Sequence, residues 1–171
     1  MNRKVLTVCL AFSTIGMMAQ TPAGNAFRID YAEYQATGAI KLLNAGNNAI
    51  LNPGDQLTVM CWIQLRDIGD NQKIIGKFNL DNTGFILGVD QGRVYSEVWN
   101  PTHYETLDGL MNPTAQHWHH IAMTYERGVA IKAFMNGIEV SSDPVSNAPI
   151  SSSTNPLIIG VSSWTTMSNF Q

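Results

Sequence analysis

Between Gln116 and Val140 apolar side chains recur at every second position, and this constrains the fold more than any other feature. Ile121, Met123 and Tyr125 alternate with Ala122 and Thr124. Period two belongs to a strand, whose successive side chains point to opposite faces. Glu126-Arg127-Gly128 interrupts the run. A second strand then puts Ile131, Ala133 and Met135 on one face, with Lys132 and Phe134 on the other. Asn136-Gly137 follows, two residues that tolerate positive φ and so mark a tight hairpin.

Other runs repeat the pattern. Asn52-Pro53-Gly54-Asp55 is a turn, and Leu57 to Leu65 alternates cleanly. Ile74 to Phe78 is a strand, with an Asp/Asn-rich turn from Asn79 to Gly84. Phe85 to Val89 and Arg93 to Trp99 form a hairpin across Asp90-Gln91-Gly92. Leu157 to Val161 is the last clear strand, after a Ser/Pro-rich loop from Ser141 to Asn155. Asn100 to Gln116 reads as a long connection, because Pro101 and Pro113 argue against helix. Short strands, frequent turn residues and no helical period predict an all-β, two-sheet antiparallel β-sandwich.

Four segments narrow this further. Gly54-Asp55-Gln56-Leu57-Thr58-Val59-Met60-Cys61-Trp62-Ile63 is similar to the early core strand of the laminin-G-like, concanavalin A-like jelly-roll modules. Ile74-Ile75-Gly76-Lys77-Phe78 with Gly84-Phe85-Ile86-Leu87-Gly88-Val89 resembles the next hairpin of that family. Gln116-His117-Trp118-His119-His120-Ile121-Ala122-Met123-Thr124-Tyr125 is the most specific match, and Pro156-Leu157-Ile158-Ile159-Gly160 resembles a late strand. The resemblance implies a jelly roll from about Phe27 onward and places Trp62 and Trp118 in the core. It also implies one further strand, with an acidic pair and an aromatic, beyond Asn169-Phe170-Gln171. The expectation is therefore a single domain over residues 21–171 lacking its last strand, with a sheet edge left uncovered.

Met1 to Gln20 reads as a secretion signal, with Arg3 and Lys4 before a mostly apolar Val5 to Met18. That run is too short to span a membrane as a helix. Cleavage would lower 10 basic residues to 8 against 13 acidic ones, moving the net charge from −3 to −5. This excludes a basic footprint for nucleic acid or an anionic membrane. Cys61 would remain without a disulfide partner and shares a face with Leu57, Val59, Ile63 and Leu65, as a buried thiol does. Only 13% of residues are charged, which suits an exported β-protein rather than a disordered chain.

Glycoside hydrolysis, an activity of some proteins with the implied fold, requires two carboxylates across one bond. No predicted strand carries acids two apart, Glu97 stands alone, and Glu105 and Asp108 fall in the long connection. No catalytic residue is assigned. His117 and His119 share a strand face, but a metal would need a third ligand such as His103; the resemblance makes the Trp-His-His run structural. Calcium is an ion the resemblance implies. Asp70 and Asp81, in loops 67–71 and 79–82, are the candidate ligands, since a hard cation takes carboxylate and carbonyl oxygens. Trp99, His103, Tyr104 and Trp164 fall at strand ends or in loops and are the candidate ligand-binding residues, aromatic rings being what stacks on a sugar face. The function read from these features is a secreted, non-catalytic recognition module for a glycan or an extracellular protein, part of a larger surface or secreted assembly. The alternatives are a structural or adhesive domain without a small ligand, and a degenerate glucanase-like hydrolase.

Overall fold

The computed structural model describes residues 7–8, 43–65, 72–79, 82–100, 103–110 and 116–161; for 7–8, 103–110 and 161 the description is of the backbone. Sheet A has five strands in the order β1-β3-β8-β9-β10, and sheet B six in the order β2-β11-β4-β5-β6-β7. In chain order the strands are β1 (Thr7–Val8), β2 (Leu43–Asn44), β3 (Gln56–Gln64), β4 (Gln72–Asn79), β5 (Thr83–Asp90), β6 (Arg93–Asn100), β7 (His103–Leu110), β8 (Trp118–Glu126), β9 (Ala130–Met135), β10 (Ile138–Pro144) and β11 (Ile158–Val161). A 3-10 turn spans Ala49–Leu51. Pairing is antiparallel throughout, except where Thr7 and Val8 pair in parallel with Thr58 and Val59. Those two residues fall within the segment read as a secretion signal.

The two-sheet sandwich expected from the sequence is the architecture observed. The inner face of sheet A presents Leu57, Val59, Cys61, Ile63, Ile121, Met123, Tyr125, Ile131 and Ala133. They meet Ile75, Phe85, Leu87, Val89, Val94 and Val98 of sheet B. Burying each large aliphatic or aromatic side chain here stabilises the fold by about 1.5–3 kcal/mol. Cys61 sits in this layer as expected, and burial pushes its thiol up to about 12, so it stays protonated and inert. The β9–β10 turn is the Asn-Gly hairpin: Asn136 and Gly137 have φ of 51° and 82°, which matches the strand twist.

Two loop readings are overturned: the stretch read as a Ser/Pro-rich loop from Ser141 begins inside β10, which runs to Pro144. The stretch read as a long loop contains β7, paired with β6 at every position from Arg93↔Leu110 to Asn100↔His103. Pro101 lies in the short connection before β7 and Pro113 lies beyond its end, so neither removes a donor from the ladder. His103, Tyr104, Glu105 and Asp108 are therefore strand residues.

The connection after β10 crosses the end of the sandwich. Tyr125 donates its hydroxyl to the Ala148 carbonyl at 2.7 Å, and the Ile150 amide donates to Gly54 O at 2.7 Å. Further on, Gly84 N–H donates to Ser151 O and Ser151 N–H to Trp99 O, at 3.0 and 2.8 Å.

Candidate functional site

The strands fix which side chains face away from the core. On β3 the inward set is Leu57, Val59, Cys61 and Ile63, so Gln56, Thr58, Met60 and Trp62 point outward. The cross-strand register extends these positions into rows. Trp62 lies beside His120, Met60 beside Ala122 and then Phe134, Thr58 beside Thr124 and then Lys132, and Gln56 beside Glu126.

This corrects the placement of Trp62. It does not enter the core; it is half-buried on the outer face of sheet A. Its ring centroid is 5.4 Å from that of His120, inclined at 60°. Burial lowers the His120 pKa, so the imidazole is neutral near pH 7 and packs as an aromatic ring. Trp118, also expected in the core, is likewise half-buried.

Farther along the same face lies a cleft of about 310 Å³ lined by Gln56, Thr58, Thr124, Glu126, Val129 and Lys132 among others. Gln56 donates to Glu126 Oε1 at 2.9 Å, and Lys132 Nζ sits 2.9 Å from Glu139 Oε2. Amide, hydroxyl, carboxylate and ammonium groups thus line the cleft, offering both donors and acceptors. From Trp62 to Thr58 is about 13 Å along the strand. An aromatic ledge and a polar cleft therefore share one solvent-facing surface.

The outer face of sheet B is different. A β-bulge between Lys73 and Ile75 shifts the β4 register, so Lys73 pairs with Gly88, whose other neighbour is Tyr95. Lys73 thereby joins Tyr95, Glu97 and Trp99 on the outer face, whereas Lys77 pairs with Phe85 on the inner one. Trp99, read from the sequence as a ligand platform, is 4% exposed. It stacks on Phe78 with centroids 5.7 Å apart and an interplanar angle of 23°, in a cluster with Ile86 and Tyr95. Gly84 stands between Phe78 and Trp99 in the register with φ of 92°, and a Cβ there would run into the Lys77 carbonyl, so this position requires glycine. The structure thus makes Trp99 a packing residue.

Tyr95 donates its hydroxyl to Glu97 Oε1. Burial drives the Glu97 carboxyl up to about 7, against the lowering effects of the Tyr95 hydrogen bond and the Lys73 charge. Lys73 is lowered to about 8, first by burial, with Glu97 and Asp90 acting in the opposite direction. Burial thus draws the titration of both groups toward neutral pH. Position 104 lies opposite Trp99 and position 108 opposite Tyr95 in the β6–β7 register, while His103 pairs with Asn100 at the strand end. Trp164, Asp70 and Asp81 lie outside the described residues. Of the histidines, His117 is exposed and His119 is buried, with Nδ1 3.4 Å from the Asn136 amide nitrogen. Among the described residues no group of three or more His, Cys, Asp or Glu gathers as a metal set.

The sheet order and the core match a known architecture. A family model described as the concanavalin A-like lectin/glucanases superfamily matches residues 35–171. The chain belongs to this superfamily. Solved structures share its fold. The binding domain of botulinum neurotoxin serotype D aligns with a TM-score of 0.56 at 16% identity, over 71% of this chain and 32% of that one. Domains LG4-5 of the mouse laminin α1 chain align at 0.56 and 16%, over 72% and 32%. The CBM40 of Ruminococcus gnavus IT-sialidase, solved bound to α2,3-sialyllactose, aligns at 0.52 and 15%, over 68% and 72%. This chain therefore spans about a third of the toxin and laminin chains. At such identities the likeness is one of fold. No curated protein matches the sequence. No helix among the described residues is long and apolar enough to cross a membrane.

Parity along β3 would have located Trp62 from the sequence, once Cys61 and Ile63 were assigned inward. The bulge that brings Lys73 to Glu97 has no signal of that kind.

Proposed function

We propose that this chain is an exported, non-catalytic recognition module that binds a glycan across the outer face of sheet A. The observation that carries this reading is the outward Trp62–His120 ring pair on the same face as a cleft lined by Gln56, Thr58, Thr124, Glu126 and Lys132. The apolar faces of a sugar ring pack against an aromatic side chain, and its hydroxyls take up amide, carboxylate and ammonium partners. The sialyllactose-bound CBM40 and the receptor-binding domain of botulinum neurotoxin D among similar structures support a binding role. The secretion signal read over residues 1–20 supports export.

The test is isothermal titration with α2,3-sialyllactose and with neutral oligosaccharides, on the protein and on Trp62→Ala. For the oligosaccharide that binds, Trp62→Ala should weaken affinity about tenfold or more. Its melting temperature should move little, because the ring is not part of the inter-sheet core. Unchanged affinity in Trp62→Ala would remove the site. Binding of a protein ligand with no response to any oligosaccharide would favour the apolar row Met60–Ala122–Phe134 as a protein-docking strip instead.

A further inference from the structure

The side chain of Lys77 has no exposed surface, yet it carries an amine. It is the inward-facing lysine of β4, and its Nζ lies at the end of the sandwich among three oxygens. Asn47 Oδ1 is at 2.5 Å, Asn155 O at 2.6 Å and Ser153 O at 2.8 Å. An ammonium has three N–H donors and no acceptor, so three oxygens satisfy it completely. Two backbone carbonyls and an amide oxygen are also the ligand types a hard cation collects from loops.

The cage is assembled from two segments about a hundred residues apart in the chain, tied to each other and to β4 by further hydrogen bonds. Asn47 Nδ2 donates to Thr154 O at 2.5 Å, and Asn155 Nδ2 donates to Phe78 O at 2.8 Å. Ser153 N–H donates to Asn52 Oδ1 at 3.1 Å, and Asn155 N–H to Ser153 Oγ at 3.2 Å. Ala45 N–H and Leu157 O, then Leu157 N–H and Gly46 O, pair the flanking backbones at 2.9 and 3.0 Å.

We propose that the Lys77 ammonium is the resident cation of this end of the sandwich, a tethered charge that organises loops 45–52 and 151–157 as a bound ion would. The oxygens converge on one point, and a positive charge at that point keeps their lone pairs from repelling one another. The site is a primary-ammonium receptor whose ligand is part of the chain. These loops then take their shape without a divalent ion in the cage.

Lys77→Met keeps the length of the side chain and removes the charge. It should lower the melting temperature by about 10 °C, since buried oxygens lose their donors. A Met variant as stable as the parent overturns the proposal. Asn47 is an exposed loop residue, so Asn47→Ala will still fold and keeps the proposal testable if Lys77→Met does not. It should lower the melting temperature by about 3 °C and reduce the amide-exchange protection of Leu157 selectively over that of Val59 and Ile121. No change in either readout overturns the proposal. In the unmodified protein, EDTA should leave the protection of the Leu157 and Gly84 amides unchanged; loss of that protection, restored by calcium, also overturns it.

Discussion

Trp99→Ala should destabilise the protein by about 3–5 kcal/mol, read as a fall in the midpoint of urea unfolding. Burial sets the size of the effect. Trp99 is 4% exposed and rests on Phe78 and Ile86, both essentially inaccessible. Removing the indole leaves a void, and the sheet backbone beneath it is tied through Ser151 N–H to Trp99 O and cannot close over it. The same substitution at Trp62 removes a ring from a solvent-facing row. The two tryptophans therefore divide between stability and recognition, the reverse of the division the sequence suggests. A Trp99→Ala variant with wild-type stability would contradict the enclosure of this ring in the Phe78–Ile86 cluster of sheet B.

The second large effect is a pH dependence centred on Glu97. Glu97 is 2% exposed, and burial pushes its carboxyl up to about 7 from the ordinary 4.5. A folded pKa above the unfolded one gives stability that is complete below the unfolded value and is lost as pH rises through the folded value. Glu97 should therefore cost the protein stability as pH rises from 4.5 to 7, by about 3 kcal/mol at most, offset in part by His120, whose lowered pKa acts in the opposite sense below 6.5. Lys73, lowered to about 8, acts in the opposite sense at higher pH, costing stability as pH falls from 10.5 toward 8. Its contribution does not overlap the Glu97 window. In Glu97→Gln, which can still accept the Tyr95 hydrogen bond, the slope between pH 4.5 and 7 should flatten when melting temperature is followed against pH. An unchanged slope would show that another group carries it.

Much of the architecture was legible because β3, β8 and β9 obey a strict two-residue period, and Asn136-Gly137 has few uses other than a tight hairpin. β7 was hidden because prolines at both of its ends imitate the composition of a loop. The candidate site was only half legible. Parity fixes that Trp62 and Trp99 each face away from the inter-sheet core, but not how deeply the outer face of each sheet is buried. That depends on long-range packing, which leaves Trp62 partly open and Trp99 enclosed. Lys73 meets Glu97 only because a bulge shifts one strand by one residue, a tertiary adjustment with no local residue signature. Lys77 looks like any strand lysine until the oxygens of two distant loops are seen to converge on it.

The measurement that bears most directly on the recognition role is a two-dimensional NMR titration with the tightest-binding oligosaccharide. The Trp62 indole N–H and the backbone amides of Met60, Thr58, His120, Thr124 and Phe134 should shift together along a single saturating curve, with the Trp99 indole unmoved. Shifts concentrated instead at Tyr95, Glu97 and Trp99 would contradict the assignment of the outer face of sheet A as the recognition surface.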